Sequence, residues 1–87
     1  MLVQSIKTKN TSVIKEDVKI VYNLFFRNAL YSLECYKEDR DFDNCNNYSF
    51  VENITDDEGE AETFLKRISK GKALPVHIKD LAEDYLN

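Results

Sequence analysis

Asp39-x-Asp41-x-Asp43 is the constellation in this 87-residue chain whose residue types and spacing come nearest to a defined chemistry. Three carboxylates at alternate positions match the first, third and fifth ligands of a calcium-binding loop. The rest of the loop departs from that pattern. Asn44 stands where glycine normally makes the sharp turn, and Asn46 where an apolar residue packs. Phe50 holds the twelfth position, which needs a bidentate glutamate, and Glu52 comes two residues too late. The segment reads as a solvated acidic hairpin tip.

His77 is the single histidine, so one chain supplies neither a histidine metal pair nor a histidine relay. A dyad with Cys35 or Cys45 would still need an orienting group and an oxyanion site. The two glycines, Gly59 and Gly71, lie in no phosphate-cradling spacing. The acids form a solvated cluster, not a pair held apart by burial, so glycosidase-style acid–base chemistry is not indicated. The cysteines are ten residues apart, which excludes a C-x-x-C redox or zinc pair. Both read as small core or loop residues with reduced thiols. No residue is assigned a catalytic, cofactor-binding or metal-ligating role, and the expectation is a protein that is not an enzyme and needs no cofactor.

The elements that would position any site fit one domain, 1–87, large enough for a single modest core. Val18–Phe26 is rich in β-branched and aromatic residues, with Val18, Ile20, Tyr22, Leu24 and Phe26 on one face. Arg27-Asn28-Ala29 suits a short turn, since asparagine tolerates a left-handed backbone. Leu30–Lys37 follows as a second strand, with Tyr31, Leu33 and Cys35 on one face and Leu30, Ser32, Glu34 and Tyr36 on the other. Beyond a polar loop, Tyr48–Ile54 places Tyr48, Phe50 and Ile54 together, with a slip at Val51. In residues 1–17, Met1–Ile6 and Ser12–Ile14 suit short strands, but the Lys-Thr-Lys-Asn-Thr run between them is turn-like. That segment is a flexible arm, an edge strand, or a flap over the sheet.

Two helices close the chain. Thr55 and Glu58 form a capping-box pair, and Ala61, Phe64, Leu65 and Ile68 make one apolar stripe. Gly71 is the expected left-handed stop. Pro75 then suits a first helical turn, and Ile78, Leu81, Ala82 and Tyr85 repeat the stripe. Two such helices need a shared apolar surface, which the strands of 18–54 supply. The fold class is α+β: an antiparallel three- to four-stranded meander followed by two amphipathic helices, 55–86, packed on one face of the sheet.

The third strand ending in V-E-N-I-T, the F-L-K-R-I-S-K-G helix and the closing A-L-P-V-H-I-K-D-L-A-E-D-Y-L resemble a family of small clostridial proteins known only as a domain of unknown function. The resemblance covers roughly residues 20–86. Its most specific part is a closing T-P-x-H-x-x-D-x-x-x-D-F-L segment, matched here by Pro75, His77, Asp80, Asp84, Tyr85 and Leu86. Leu74 departs from the small polar residue expected there. The resemblance implies a cytoplasmic bacterial protein of this architecture and lends no activity.

Charge narrows the partners. The net charge is −4, with ten acids against two bases between Lys37 and Glu62. Lys66–Lys79 then holds five bases and no acid. Part of this pattern opposes the helix macrodipole, and the acidic loop repels a nucleic-acid backbone. A helix-turn-helix reading fails on charge, because Lys79, Asp80, Glu83 and Asp84 would face the groove. No apolar run is long enough to cross a bilayer. No basic region precedes an apolar stretch at the N-terminus, so no secretory signal is expected, and the sequons at Asn10, Asn47 and Asn53 carry no weight. A cytoplasmic protein that binds neither nucleic acid nor membrane is expected.

If both helices cover one face of the sheet, Val21, Phe25, Leu30 and Tyr36 remain on the other. Such a face invites an interface with a protein partner or a second copy. The first expectation is therefore a non-enzymatic interaction or regulatory domain, homodimeric or otherwise partnered through the sheet face. The alternative is an acidic inhibitor mimicking nucleic acid, with Asp39, Asp41, Asp43 and the acids of 56–62 in the basic groove of a nucleic-acid enzyme.

Overall fold

The computed structural model describes residues 6–41, 43, 44 and 46–86. Cys45 and the first five residues of the expected N-terminal strand lie outside them. Four strands, β1 (Ile6–Lys15), β2 (Val18–Arg27), β3 (Leu30–Lys37) and β4 (Tyr48–Thr55), precede two helices, α1 (Glu58–Lys70) and α2 (Pro75–Leu86). The strands form one antiparallel sheet in the order β1-β2-β3-β4. Both helices pack on the same face, which makes an α+β fold.

The Lys-Thr-Lys-Asn-Thr run is strand, not turn. It lies inside β1, which pairs with β2 from Ile6↔Phe26 to Lys15↔Val18, with a register shift between Lys7 and Lys9. Local composition is outweighed here by ladder hydrogen bonds to a strongly apolar neighbour. Glu16 and Asp17 close that hairpin with φ of 52° and 66°, and Asn28 and Ala29 close the next with φ of 53° and 64°. Positive φ at both loop residues matches the right-handed twist of the strands they join. The three lysines of β1, an edge strand, discourage pairing with another chain.

The core lies between sheet and helices. Ile20, Tyr22 and Leu24 of β2 and Leu33 and Cys35 of β3 are wholly buried. They meet Ala61, Phe64, Leu65 and Ile68 of α1 and Ile78 and Ala82 of α2. In the centre, the Tyr22 hydroxyl donates to the Ala73 carbonyl at 2.7 Å and ties the sheet to the link between helices. One expectation changes at β4, where Tyr48 and Phe50 share a face but Ile54 leaves it. Tyr48 pairs with Tyr36 and Phe50 with Glu34, so both face away from the helices. Ile54 packs instead with Val51 against the core. The slip at Val51 is resolved by an irregularity opposite Ser32, where Asn53 takes φ of 55° and its N–H reaches Ser32 Oγ at 3.1 Å.

Both ends of α1 shift from the expected residues. Asp57, not Thr55, is the N-cap, and its side chain accepts from Glu60 N–H at 2.9 Å. Thr55 supports it by accepting Asp57 N–H at 3.1 Å and donating to Glu60 at 2.9 Å. The left-handed residue after α1 is Lys72, with φ of 53°, whereas Gly71 stays right-handed at φ of −81°. Ala73 N–H to Ile68 O and Lys72 N–H to Ser69 O complete a Schellman closure one residue later than expected.

Candidate functional site

The free face of the sheet brings the expected interface residues onto one surface. Strand alternation and register set Ser12, Val21, Tyr36 and Tyr48 in one row, and Asn10, Asn23, Glu34 and Phe50 in the next. Phe25 follows, paired with Lys7 and Ser32. No strand or helix among the described residues packs across this face. Val21 is nevertheless buried by its same-face neighbours, while Phe25, Leu30 and Tyr36 are half-buried. Phe50, not among the expected anchors, is exposed, and its ring lies 6.2 Å from that of Phe25. Lys7 sits 6.0 Å above the Phe25 ring. Phe50 was legible in principle, but the irregularity in β4 hides its true face from simple alternation.

A polar ladder crosses the middle of this surface. Asn10 Nδ2 donates to Asn23 Oδ1, and Asn23 Nδ2 donates to Glu34 Oε1 at 2.9 Å. The Tyr48 hydroxyl donates to Glu34 Oε2 at 2.8 Å. Side chains from all four strands are thereby joined. Burial, then the hydrogen bond to Glu34, pushes the Tyr48 phenol up to about 12. Among the described residues no buried side-chain nitrogen or oxygen lacks a partner. The surface is thus an apolar patch crossed by a satisfied polar stripe.

The other chemical candidates do not converge. Cys35 is enclosed in the core, and burial, aided by Glu34, pushes its thiol up to about 12, far from thiolate chemistry at neutral pH. His77 is exposed on α2. The acidic hairpin tip closes on itself: Asp43 N–H donates to Asp41 Oδ1 at 2.9 Å and Asn47 Nδ2 to the Asp41 carbonyl at 3.0 Å. Among the described residues no three His, Cys, Asp or Glu side chains are grouped to hold a metal ion.

The stripe on α2 divides. Ile78 and Ala82 enter the core, but Leu81 and Tyr85 are 38% and 39% exposed. They turn toward α1 and help line a groove of about 470 Å³ that the helix periodicity alone does not reveal.

The chain belongs to a family of unknown function, DUF6514, which matches residues 3–87 and so takes in β1 as well as the segment from residue 20 onward. No curated protein and no solved structure matches it. No helix among the described residues is long and apolar enough to cross a membrane.

Proposed function

We propose that this domain is a non-enzymatic interaction module that pairs with a second copy of itself through the free sheet face. The observation that carries the reading is that face's composition. Phe25 and Phe50 meet with their rings tilted at 46°, beside Val21, Leu30 and Tyr36, and both helices lie on the opposite side. Four strands of about eight residues present roughly 500 Å² in projection. Two copies face to face would therefore bury about 1,000 Å², the lower bound for a specific interface. The contact is accordingly of moderate strength and sensitive to the loss of one anchor. A second copy suits the surface because its charge is mixed along the rim: Lys7 and Lys19 flank the satisfied Glu34 stripe, which favours a self-complementary match. A non-enzymatic role is supported by the burial of Cys35 in the core.

Sedimentation across a concentration series tests this reading. A reversible monomer–dimer equilibrium is expected, abolished by Phe25→Lys with the helical circular dichroism retained. A chain that stays monomeric at every concentration would overturn it. The nucleic-acid-mimic alternative gains nothing from the fold. The 39–43 acids precede β4 and the 56–62 acids follow it, so they leave opposite ends of that strand.

A further inference from the structure

We infer that the groove between α1 and α2 is a binding site for a single-chain amphiphile with an anionic head, specifically a fatty carboxylate. Its volume of about 470 Å³ falls within the range of small-molecule sites. Phe64, Ile68, Leu81 and Tyr85 supply an apolar floor, on which the Phe64 and Tyr85 rings stack with centroids 5.8 Å apart. Leu81 and Tyr85 remain more than a third exposed although the helix stripe would place them in a core. An alkyl chain laid there would remove that apolar area from water.

The rim gives the occupant its charge. Lys15, Arg67 and Lys72 line the groove with His77, and no acidic residue does, in a chain whose net charge is −4. Among the described residues the ion pair within 4.0 Å joins Lys19 to Glu38, away from the groove, and involves none of these three cations. The Arg67 guanidinium is held 4.8 Å over the Tyr85 ring, which fixes its plane. A planar fork so placed matches a carboxylate better than a point charge does.

The backbone agrees with this sign. Three of the last four carbonyls of α1, at Arg67, Ile68 and Ser69, accept from Gly71, Ala73 and Lys72 N–H groups respectively, which blunts the negative end of that helix. Leu74 and His77, at the positive end of α2, also line the groove, and the first turn of α2 carries no acid.

Isothermal titration of the full chain with dodecanoate, kept below its micelle threshold, reads the proposal directly. Saturable one-to-one binding is expected. Dodecyltrimethylammonium, with the same tail and a cationic head, should bind at least about tenfold more weakly, as should the dodecanoate complexes of Arg67→Gln and Lys72→Gln. Leu81→Gln should weaken binding through the tail. All three variants alter exposed side chains, and their thermal midpoints verify folding. Phe25→Lys should leave dodecanoate binding unchanged, so failure here is separable from failure of the sheet-face dimer. Absence of dodecanoate binding, equal affinity for the two head groups, or an Arg67→Gln variant that binds as well as the parent would overturn the assignment. Tighter binding of dodecyl phosphate, or binding of an acidic amphipathic peptide in place of dodecanoate, would overturn it too.

Discussion

Asn23 Nδ2 lies 2.9 Å from Glu34 Oε1 in the middle of the sheet face that no helix covers. Asn23 is only 2% exposed, so its amide depends on this bond and on Asn10 for partners. The ladder also fixes register, because a one-residue slip of β2 would turn Asn23 into the apolar core. Glu34→Leu should therefore destabilise the protein by about 1–3 kcal/mol, the penalty for stranding a buried donor. The Tyr48 hydroxyl loses its acceptor in the same variant. Urea unfolding measures the effect. A midpoint unchanged from the parent would show that the ladder adds nothing to the fold.

Alkaline pH should unfold the protein through its tyrosines. Burial raises the phenols of Tyr22, Tyr31 and Tyr48; hydrogen bonds to Glu58 and Glu34 add to the rise at Tyr31 and Tyr48 respectively. A phenol raised in the folded state favours the neutral form there. Its contribution is thus complete below the ordinary value of about 10 and is lost as pH climbs toward the folded value, about 12 for Tyr48. Stability should fall steeply above about pH 10, with part of the phenolate absorbance appearing only on unfolding. Tyr48→Phe should flatten that fall. A smooth tyrosine titration with circular dichroism intact throughout would contradict the assignment.

The periodic signals were legible because each reports which side of an element is buried. The period of two in β2 and β3 separates Ile20, Tyr22 and Leu33 from Val21, Phe25 and Tyr36, and the structure keeps that division. The α1 stripe is likewise buried throughout. What escaped depends on distant partners or close local competition. β1 is extended because β2 offers it a ladder, which its own polar residues do not signal. Thr55, Asp56 and Asp57 are adjacent cap candidates, and the one chosen depends on where β4 releases the chain. The α2 stripe shows that Leu81 and Tyr85 share a side, but not that α1 stops short of covering them. The groove is consequently a property of helix placement and has no sequence signature of its own.

Backbone strain offers a separate check. Ala29 and Lys72 hold φ of 64° and 53°, a region that L-residues other than asparagine and aspartate adopt at a penalty. Ala29→Gly should raise stability by about 0.5–1 kcal/mol, after allowance for glycine's looser unfolded chain. Lys72→Gly should do the same at the end of α1 while removing one cation from the groove. Thermal unfolding would register both gains, and a fall in midpoint for Ala29→Gly would refute the turn geometry.

The cap assignment separates two arrangements that differ by two residues. With Asp57 as N-cap, Asp57→Ala should cost about 1 kcal/mol, since Glu60 N–H loses its acceptor. Thr55→Val should cost less, because Asp57 remains to hold the first turn and only the bonds to Asp57 N–H and Glu60 Oε1 are lost. Had Thr55 capped the helix, the order of the two losses would be reversed. Paired denaturation curves decide between them.

Tyr22 carries a bond that joins the sheet to the link between the helices. Its hydroxyl reaches the Ala73 carbonyl at 2.7 Å from a wholly buried side chain in the centre of β2. Tyr22→Phe keeps the ring packed against the core but strands that carbonyl, which should cost about 1–3 kcal/mol. The damage should also be local. Ala73 belongs to the link that follows the α1 closure, so amide exchange should quicken at Lys72, Ala73 and His77, whose N–H groups close the link. The β2–β3 ladder should exchange as before. Because Ala73 and Leu74 line the groove as well, the same variant should weaken dodecanoate without altering Arg67. Uniform loss of protection across sheet and helices would instead mean that the Tyr22 bond supports the fold as a whole and leaves the link no weaker than the rest.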